Sequence, residues 1–200
     1  MDQTTRKLAQ YRCIPMAKVF AKEQAGKLSE ALHTAGLPVV NVSQQHPDGA
    51  ELVRTLAKDP TLLVGSGNVQ TYDQALHALD NGARFLFSPL FDERMIALAQ
   101  QQDIPIFPVT TQIAMAELHH LKVLGCYPVT ELGGLAFINK MGEEGGLSFI
   151  VAGHIEESMM EYYLSNPHVL AMTGSWMFAD GSDWKAITKA LVRAASWKLE

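Results

Sequence analysis

The sequence predicts an α/β fold, a small (β/α)8 TIM barrel with short loops, on three observations. Short apolar runs recur along the chain, each followed by a segment of helical period. About eight such strand–helix units fit into the 200 residues, the number a closed barrel requires. No single glycine-rich dinucleotide fingerprint is present, as an open doubly wound sheet, the competing arrangement, would favour.

The elements follow in order. The first strand falls within residues 12–20, a mixed apolar run, and the helix after it spans 23–35. In that helix Ala25, Leu28, Ala31, Leu32 and Ala35 make one apolar stripe, and Gly36 ends it. Residues 37–42 are valine-rich and read as the second strand, with a helix starting near Pro47 and Asp48. The third strand, 61–64, runs into Gly65-Ser66-Gly67, read as a turn, and 71–79 is the next helix, closed by Asn81-Gly82. Strand 84–87 stops at Ser88-Pro89, and Asp92 caps a helix reaching about 101.

Residues 104–107 then read as strand, 110–119 as helix, 122–127 as strand and 132–141 as helix. The pattern continues with strand 147–151, helix 156–164 and strand 169–172. A final helix, 183–198, carries Ile187, Leu191, Ala194 and Ala195 on its apolar side. The segment 1–12 is polar and receives no element.

Bulk properties narrow the function. A length of 200 residues suits one domain across 1–200, and no low-complexity linker divides it. A net charge of -5 disfavours nucleic acid or an anionic membrane as the main partner. No apolar run approaches the roughly 20 residues that span a bilayer. The polar start lacks the apolar core of a signal peptide, so a cytoplasmic location is expected. Cys13 and Cys126 are not in a Cys-x-x-Cys pair and are expected as buried thiols. A nucleophilic Cys126, close to a strand end, is the alternative.

In such a barrel, chemistry sits where each apolar run stops. Those positions are Lys18; Asn41, Ser43 and Gln45; Gly65 to Asn68; Ser88 and Pro89; Pro108, Thr110 and Thr111; Gly125 to Pro128; Gly153 and His154; and Gly174 and Ser175. The set is rich in hydroxyls, amides and glycines, and poor in carboxylates. The turns after the seventh and eighth strands, Gly153-His154 and Gly174-Ser175, fall where barrels build phosphate sites from backbone N–H groups. Lys18 can pair with a carboxylate or phosphate, or simply extend into solvent. A metal would need three or four convergent donors. His46, His154 and Glu131 are the one set to consider and lack ligand spacing, so neither metal nor other cofactor is expected.

Several stretches taken together, from about residue 12 to 178, carry a family resemblance. They are Cys13-Ile14-Pro15-Met16-Ala17-Lys18, Leu63-Val64-Gly65-Ser66-Gly67-Asn68-Val69, Gly82-Ala83-Arg84-Phe85 and Phe87-Ser88-Pro89. They continue with Ile104-Pro105-Ile106-Phe107-Pro108, Tyr127-Pro128, Gly133-Gly134, Ala152-Gly153 and Gly174-Ser175-Trp176. In order and spacing the chain resembles the 2-keto-3-deoxy-6-phosphogluconate / 4-hydroxy-2-oxoglutarate aldolase family. The resemblance implies a homotrimeric (β/α)8 barrel that splits a 2-keto-4-hydroxy acid into pyruvate and an aldehyde. It implies a Schiff-base lysine on the sixth strand and a proton-moving glutamate on the second.

Carried onto this chain, the lysine position is Gly125 and the glutamate position is Asn41. The family's arginine falls on Gln45 and the threonine of its Gly-x-Gly-Thr turn on Asn68. Lys18 matches a position where some members carry arginine, and His154 replaces a second glycine beside Gly153. Lys122, three residues before Gly125, would face the opposite side of its strand and lie deeper in the barrel.

Three readings follow. The first is an aldolase with its imine formed elsewhere, at Lys18. The second is a non-catalytic binder of a small anionic metabolite, a 2-keto acid or phosphorylated sugar acid, held by Lys18, Gln45, Asn68, Gly153, His154, Gly174 and Ser175. The third is an isomerase or epimerase using Cys126, Tyr127 or His154 as acid or base. Loss of both lysine and glutamate weighs against imine catalysis.

Overall fold

Eight parallel strands carry the apolar runs in a computed structural model that describes residues 1–178 and 181–199, leaving Ala179, Asp180 and Glu200 outside. The strands are β1 (Cys13–Ala17), β2 (Val39–Ser43), β3 (Leu63–Gly67), β4 (Leu86–Phe87), β5 (Ile106–Phe107), β6 (Val123–Cys126), β7 (Ser148–Val151) and β8 (Val169–Gly174). Their order in the sheet is β5-β4-β3-β2-β1-β8-β7-β6, so β5 and β6 are the two edges. Among the described residues no ladder joins those edges. The Gly125 N–H donates to the Pro108 carbonyl at 3.0 Å and bridges them. The result is a nearly closed (β/α)8 barrel.

The outer layer is α2 (Ala25–Thr34), α3 (Gly49–Leu56), α4 (Tyr72–Asp80), α5 (Glu93–Gln101), α6 (Ile113–Leu118), α7 (Gly134–Gly145), α8 (Met160–Leu164) and α9 (Trp184–Ala195). Most of them lay an apolar stripe on the sheet, whereas the six-residue α6 buries only Ala116. In α2 it is Ala25, Leu28, Ala31 and Leu32, and in α9 it is Ile187, Ala190, Leu191 and Ala194. Asp92 caps α5 by accepting from the Arg94 and Met95 N–H groups, and Asp183 caps α9 through Ala186.

Three local expectations are corrected. Segment 1–12 holds a helix, α1 (Gln3–Tyr11), capped by the Asp2 carboxylate on the Thr5 N–H at 2.8 Å. Only Thr5 and Leu8 of that helix are buried, too narrow a stripe to read as a periodic pattern. Gly65-Ser66-Gly67 is not a turn but the end of β3. The ladder to β2 continues through Asn41↔Gly65, Val42↔Ser66 and Ser43↔Gly67. Finally, β4 and β5 are two residues each, shorter than the apolar runs around them.

Large rings and missing side chains interlock inside the barrel. A β-carbon at Gly65 would stand 2.2 Å from the Phe85 ring, and one at Gly125 would stand 2.8 Å from Phe87 Cε1. Phe87 and Phe107 pack with centroids 6.0 Å apart, and all three rings are buried. Each buried phenylalanine contributes about 1.5–3 kcal/mol of transfer free energy, so the glycines are sites of close packing and not gaps.

Candidate binding site at the strand ends

Strand polarity puts the carboxyl ends of seven of the eight strands around a cavity of about 350 Å³. Met16 and Lys18 come from β1, Ser43 and Gln45 from β2, and Asn68 from β3. Phe87 and Pro89 come from β4, Tyr127 from the end of β6, residues 152–156 from β7 and 173–176 from β8. Lys18, Gln45, Asn68, Gly153, His154, Gly174 and Ser175 are therefore all brought together. Asn41 and Gly125 are not part of the lining and lie buried in the barrel.

The backbone at the rim explains its residue types. Gly153 has φ +103°, and a β-carbon there would come within 2.9 Å of the Pro128 backbone. The next residue, His154, and Asn68 across the mouth adopt φ +50° and +54°. These are left-handed conformations that histidine and asparagine tolerate better than most residues. His154 thus holds a left-handed backbone conformation that glycine would adopt readily.

Hydrogen bonds orient the deep hydroxyls. Asn41 is fully buried, and its Nδ2 donates to Thr173 Oγ1 at 3.3 Å, while Asn41 Oδ1 has no partner among the described residues. Ser43 Oγ accepts from the Gln45 N–H at 3.3 Å. Each hydroxyl therefore has its own proton left to donate. Lys18 and His154 are exposed and take no side-chain partner among the described residues. Glu156, also exposed, is the one carboxylate of the lining.

The position of the expected lysine is filled. A side chain starting from Gly125 would meet Phe87 Cε1 at 2.8 Å and the Phe107 carbonyl oxygen at 3.1 Å. Lys122 lines a separate hollow of about 650 Å³ at the amino ends of β6 and β7, with Asp2, Asp103 and His120. It does not substitute.

The candidate acids and bases also separate. Cys126 is fully buried, and burial pushes its thiol up to about 12, so it stays protonated. It does not line the cavity, whereas Tyr127 does. His46 is turned into a local contact, its Nδ1 accepting from the Asp48 N–H at 3.1 Å. Among the described residues no three of His, Cys, Asp or Glu converge in a way that could hold a metal ion.

Sequence reasoning passed over Met16, Phe87, Thr173, Glu156 and Trp176 as lining residues. Thr173 was accessible to it, because it sits one position before the Gly174-Ser175 turn. Glu156 carried no signal, since its place depends on how the segment after β7 folds back over the mouth.

The family model for KDPG and KHG aldolase matches residues 4–190. The 2-dehydro-3-deoxy-phosphogluconate aldolase of Treponema pallidum is 31% identical over 175 residues, 85% of this chain and 83% of that enzyme. The enzyme of the same name from Haemophilus influenzae is 24% identical, covering 98% of this chain and 91% of its own. The 2-keto-3-deoxy-6-phosphogluconate aldolase of Zymomonas mobilis, solved with 3-phosphoglycerate, superposes with a TM-score of 0.88 at 24% identity. That match spans 97% of this chain and 96% of that one, and likeness at such identity shows the shared fold. This chain belongs to the KDPG and KHG aldolase family.

Proposed function

We propose that this member of the family binds a small phosphorylated or carboxylate metabolite at the strand ends and does not carry out class I imine catalysis. One observation carries the reading: the Phe87 ring occupies the space into which a side chain at position 125 would grow. Imine chemistry needs an amine that reaches the substrate carbonyl and a nearby acid/base group. Here the inner amine is replaced by packed aromatic surface, and the position expected to move protons holds an amide, Asn41.

The binding half of the proposal is supported by the cavity lining. Lys18 would supply positive charge and Gly153, His154, Gly174 and Ser175 backbone and side-chain donors, with Gln45 and Asn68 donating amide hydrogens. The Zymomonas mobilis relative holds 3-phosphoglycerate, a phosphorylated carboxylate, which fits the proposed class of ligand. A single barrel domain over 1–200, a homotrimer and a cytoplasmic location belong to the same proposal. Among the described residues no helix is long and apolar enough to cross a membrane.

The reading with an imine at Lys18 is separated by one experiment. Incubation with pyruvate and borohydride, followed by peptide mass spectrometry, is expected to show no pyruvyl adduct on any lysine. A stoichiometric adduct on the peptide containing Lys18 would overturn the proposal. In parallel, phosphorylated sugar acids should raise the melting temperature. A flat response across phosphorylated sugar acids and 2-keto acids would remove the binding half.

A further inference from the structure

Charged groups around the cavity mouth are segregated by strand, and we propose that the site takes a ligand with one anionic group, a phosphate monoester, on a neutral, hydroxylated body: a sugar or polyol phosphate carrying no carboxylate. This rests on the binding reading above and narrows it. Strands β7, β8 and β1 are consecutive neighbours in the sheet, and the loops leaving them bring His154, Ser175 and Lys18 to the lining. On that arc the N–H groups of Gly153 and His154 also have no backbone acceptor among the described residues. Lys18 is the one permanent cation of the lining, and Glu156 stands on the same arc. That balance accommodates one anionic group and disfavours a second.

The facing arc, β2, β3 and β4, contributes Ser43, Gln45, Asn68, Phe87 and Pro89, with no charge among them. A carboxylate set against it would lose water and gain no counter-charge, whereas an alcohol would lose far less. The donors available suit alcohol oxygens. Ser43 already accepts from the Gln45 N–H and Thr173 from Asn41 Nδ2, so both hydroxyl protons are left to give. A cavity of about 350 Å³ is at the small end of ligand pockets, a size that suits a short phosphorylated chain.

The test is calorimetric titration of the whole protein with glucitol 6-phosphate and gluconate 6-phosphate. These differ only in carrying an alcohol or a carboxylate at the first carbon. The glucitol ester is expected to bind about tenfold tighter. Gln45→Arg, which adds a cation to the neutral arc, should move the ratio about tenfold toward the gluconate ester. Equal or tighter binding of the gluconate ester by the unaltered protein would overturn the inference and leave the binding reading standing. Binding of neither ester would overturn the inference, and the binding reading falls with it only if pyruvate, titrated alongside, also fails to bind. An unchanged ratio in Gln45→Arg would overturn the charge argument on which the preference rests.

Discussion

Phe87 and Gly125 are complementary across the barrel: the ring of one lies where the side chain of the other would begin, 2.8 Å from the position of a β-carbon. Real β-carbons do not approach that closely, and the Phe107 carbonyl at 3.1 Å closes a second direction. A side chain introduced at position 125 would therefore have to displace packed groups.

A double-mutant cycle follows from this contact. Gly125→Lys alone should cost about 1–3 kcal/mol of stability through overpacking and yield no pyruvyl adduct. Phe87→Ala alone should cost about 3–5 kcal/mol by emptying a core site. Combined, the two should be less destabilising than their sum by more than about 0.5 kcal/mol in urea unfolding. Strict additivity would show that the ring does not block position 125.

Thr173 is expected to hold the buried amide of Asn41. Thr173→Val keeps the shape but leaves Asn41 Nδ2 without its acceptor, at a cost of about 1–3 kcal/mol. Thr173→Ser should recover most of that loss. Equal stability of the valine variant and the parent would remove the bond from the argument.

Both cysteines should be silent in the folded protein. Burial pushes the Cys13 and Cys126 thiols up to about 12, with the negative charge of Glu157 adding to the shift at Cys13. Neither should react with a thiol reagent at pH 8 in buffer, and both should react in denaturant. The folded pKa values are raised, so their contribution is present below about pH 8.5 and is lost as pH rises from there. Rapid labelling of native Cys126 would reopen a chemical role for it.

Asp59 gives the opposite pH signature. Hydrogen bonds from the Thr61 hydroxyl, the His33 ring and the Thr61 N–H hold its carboxyl far below the usual carboxylate range. A depressed pKa stabilises above the unfolded value near about 3.9 and ceases to do so as pH falls through the folded value. Asp59→Asn should therefore melt lower than the parent at pH 7, with the gap closing in strong acid. A gap that stays constant down to pH 2 would contradict the linkage.

Much of the fold was legible because its signals are local. The stripe of Ala25, Leu28, Ala31 and Leu32 marks a helix by spacing alone, and Asp92 and Asp183 mark helix starts by chemistry that reaches only two or three residues. Helix α1 escaped because its stripe reduces to Leu8 and Thr5. Gly65-Ser66-Gly67 was misread as a turn because glycine pairs suggest bends. Here they extend β3 beside β2 and make room for the Phe85 ring.

By itself the sequence determined the order of strands and helices, hence the parallel barrel and the strand ends where Lys18, Gln45, Asn68, Gly153, His154, Gly174 and Ser175 meet. By resemblance it also leads one to expect Gly125 and Asn41 at the two family positions for a lysine and a glutamate. Only the tertiary structure decided what surrounds those two positions. Phe87 is 38 residues from Gly125 in the chain, by subtraction of their numbers, and their contact exists only once β4 and β6 curve into one barrel. The same closure divides the mouth into an arc that carries Lys18 and Glu156 and a neutral one. Such a division depends on which strands are neighbours, and sheet order is set by long-range packing that local periodicity does not encode.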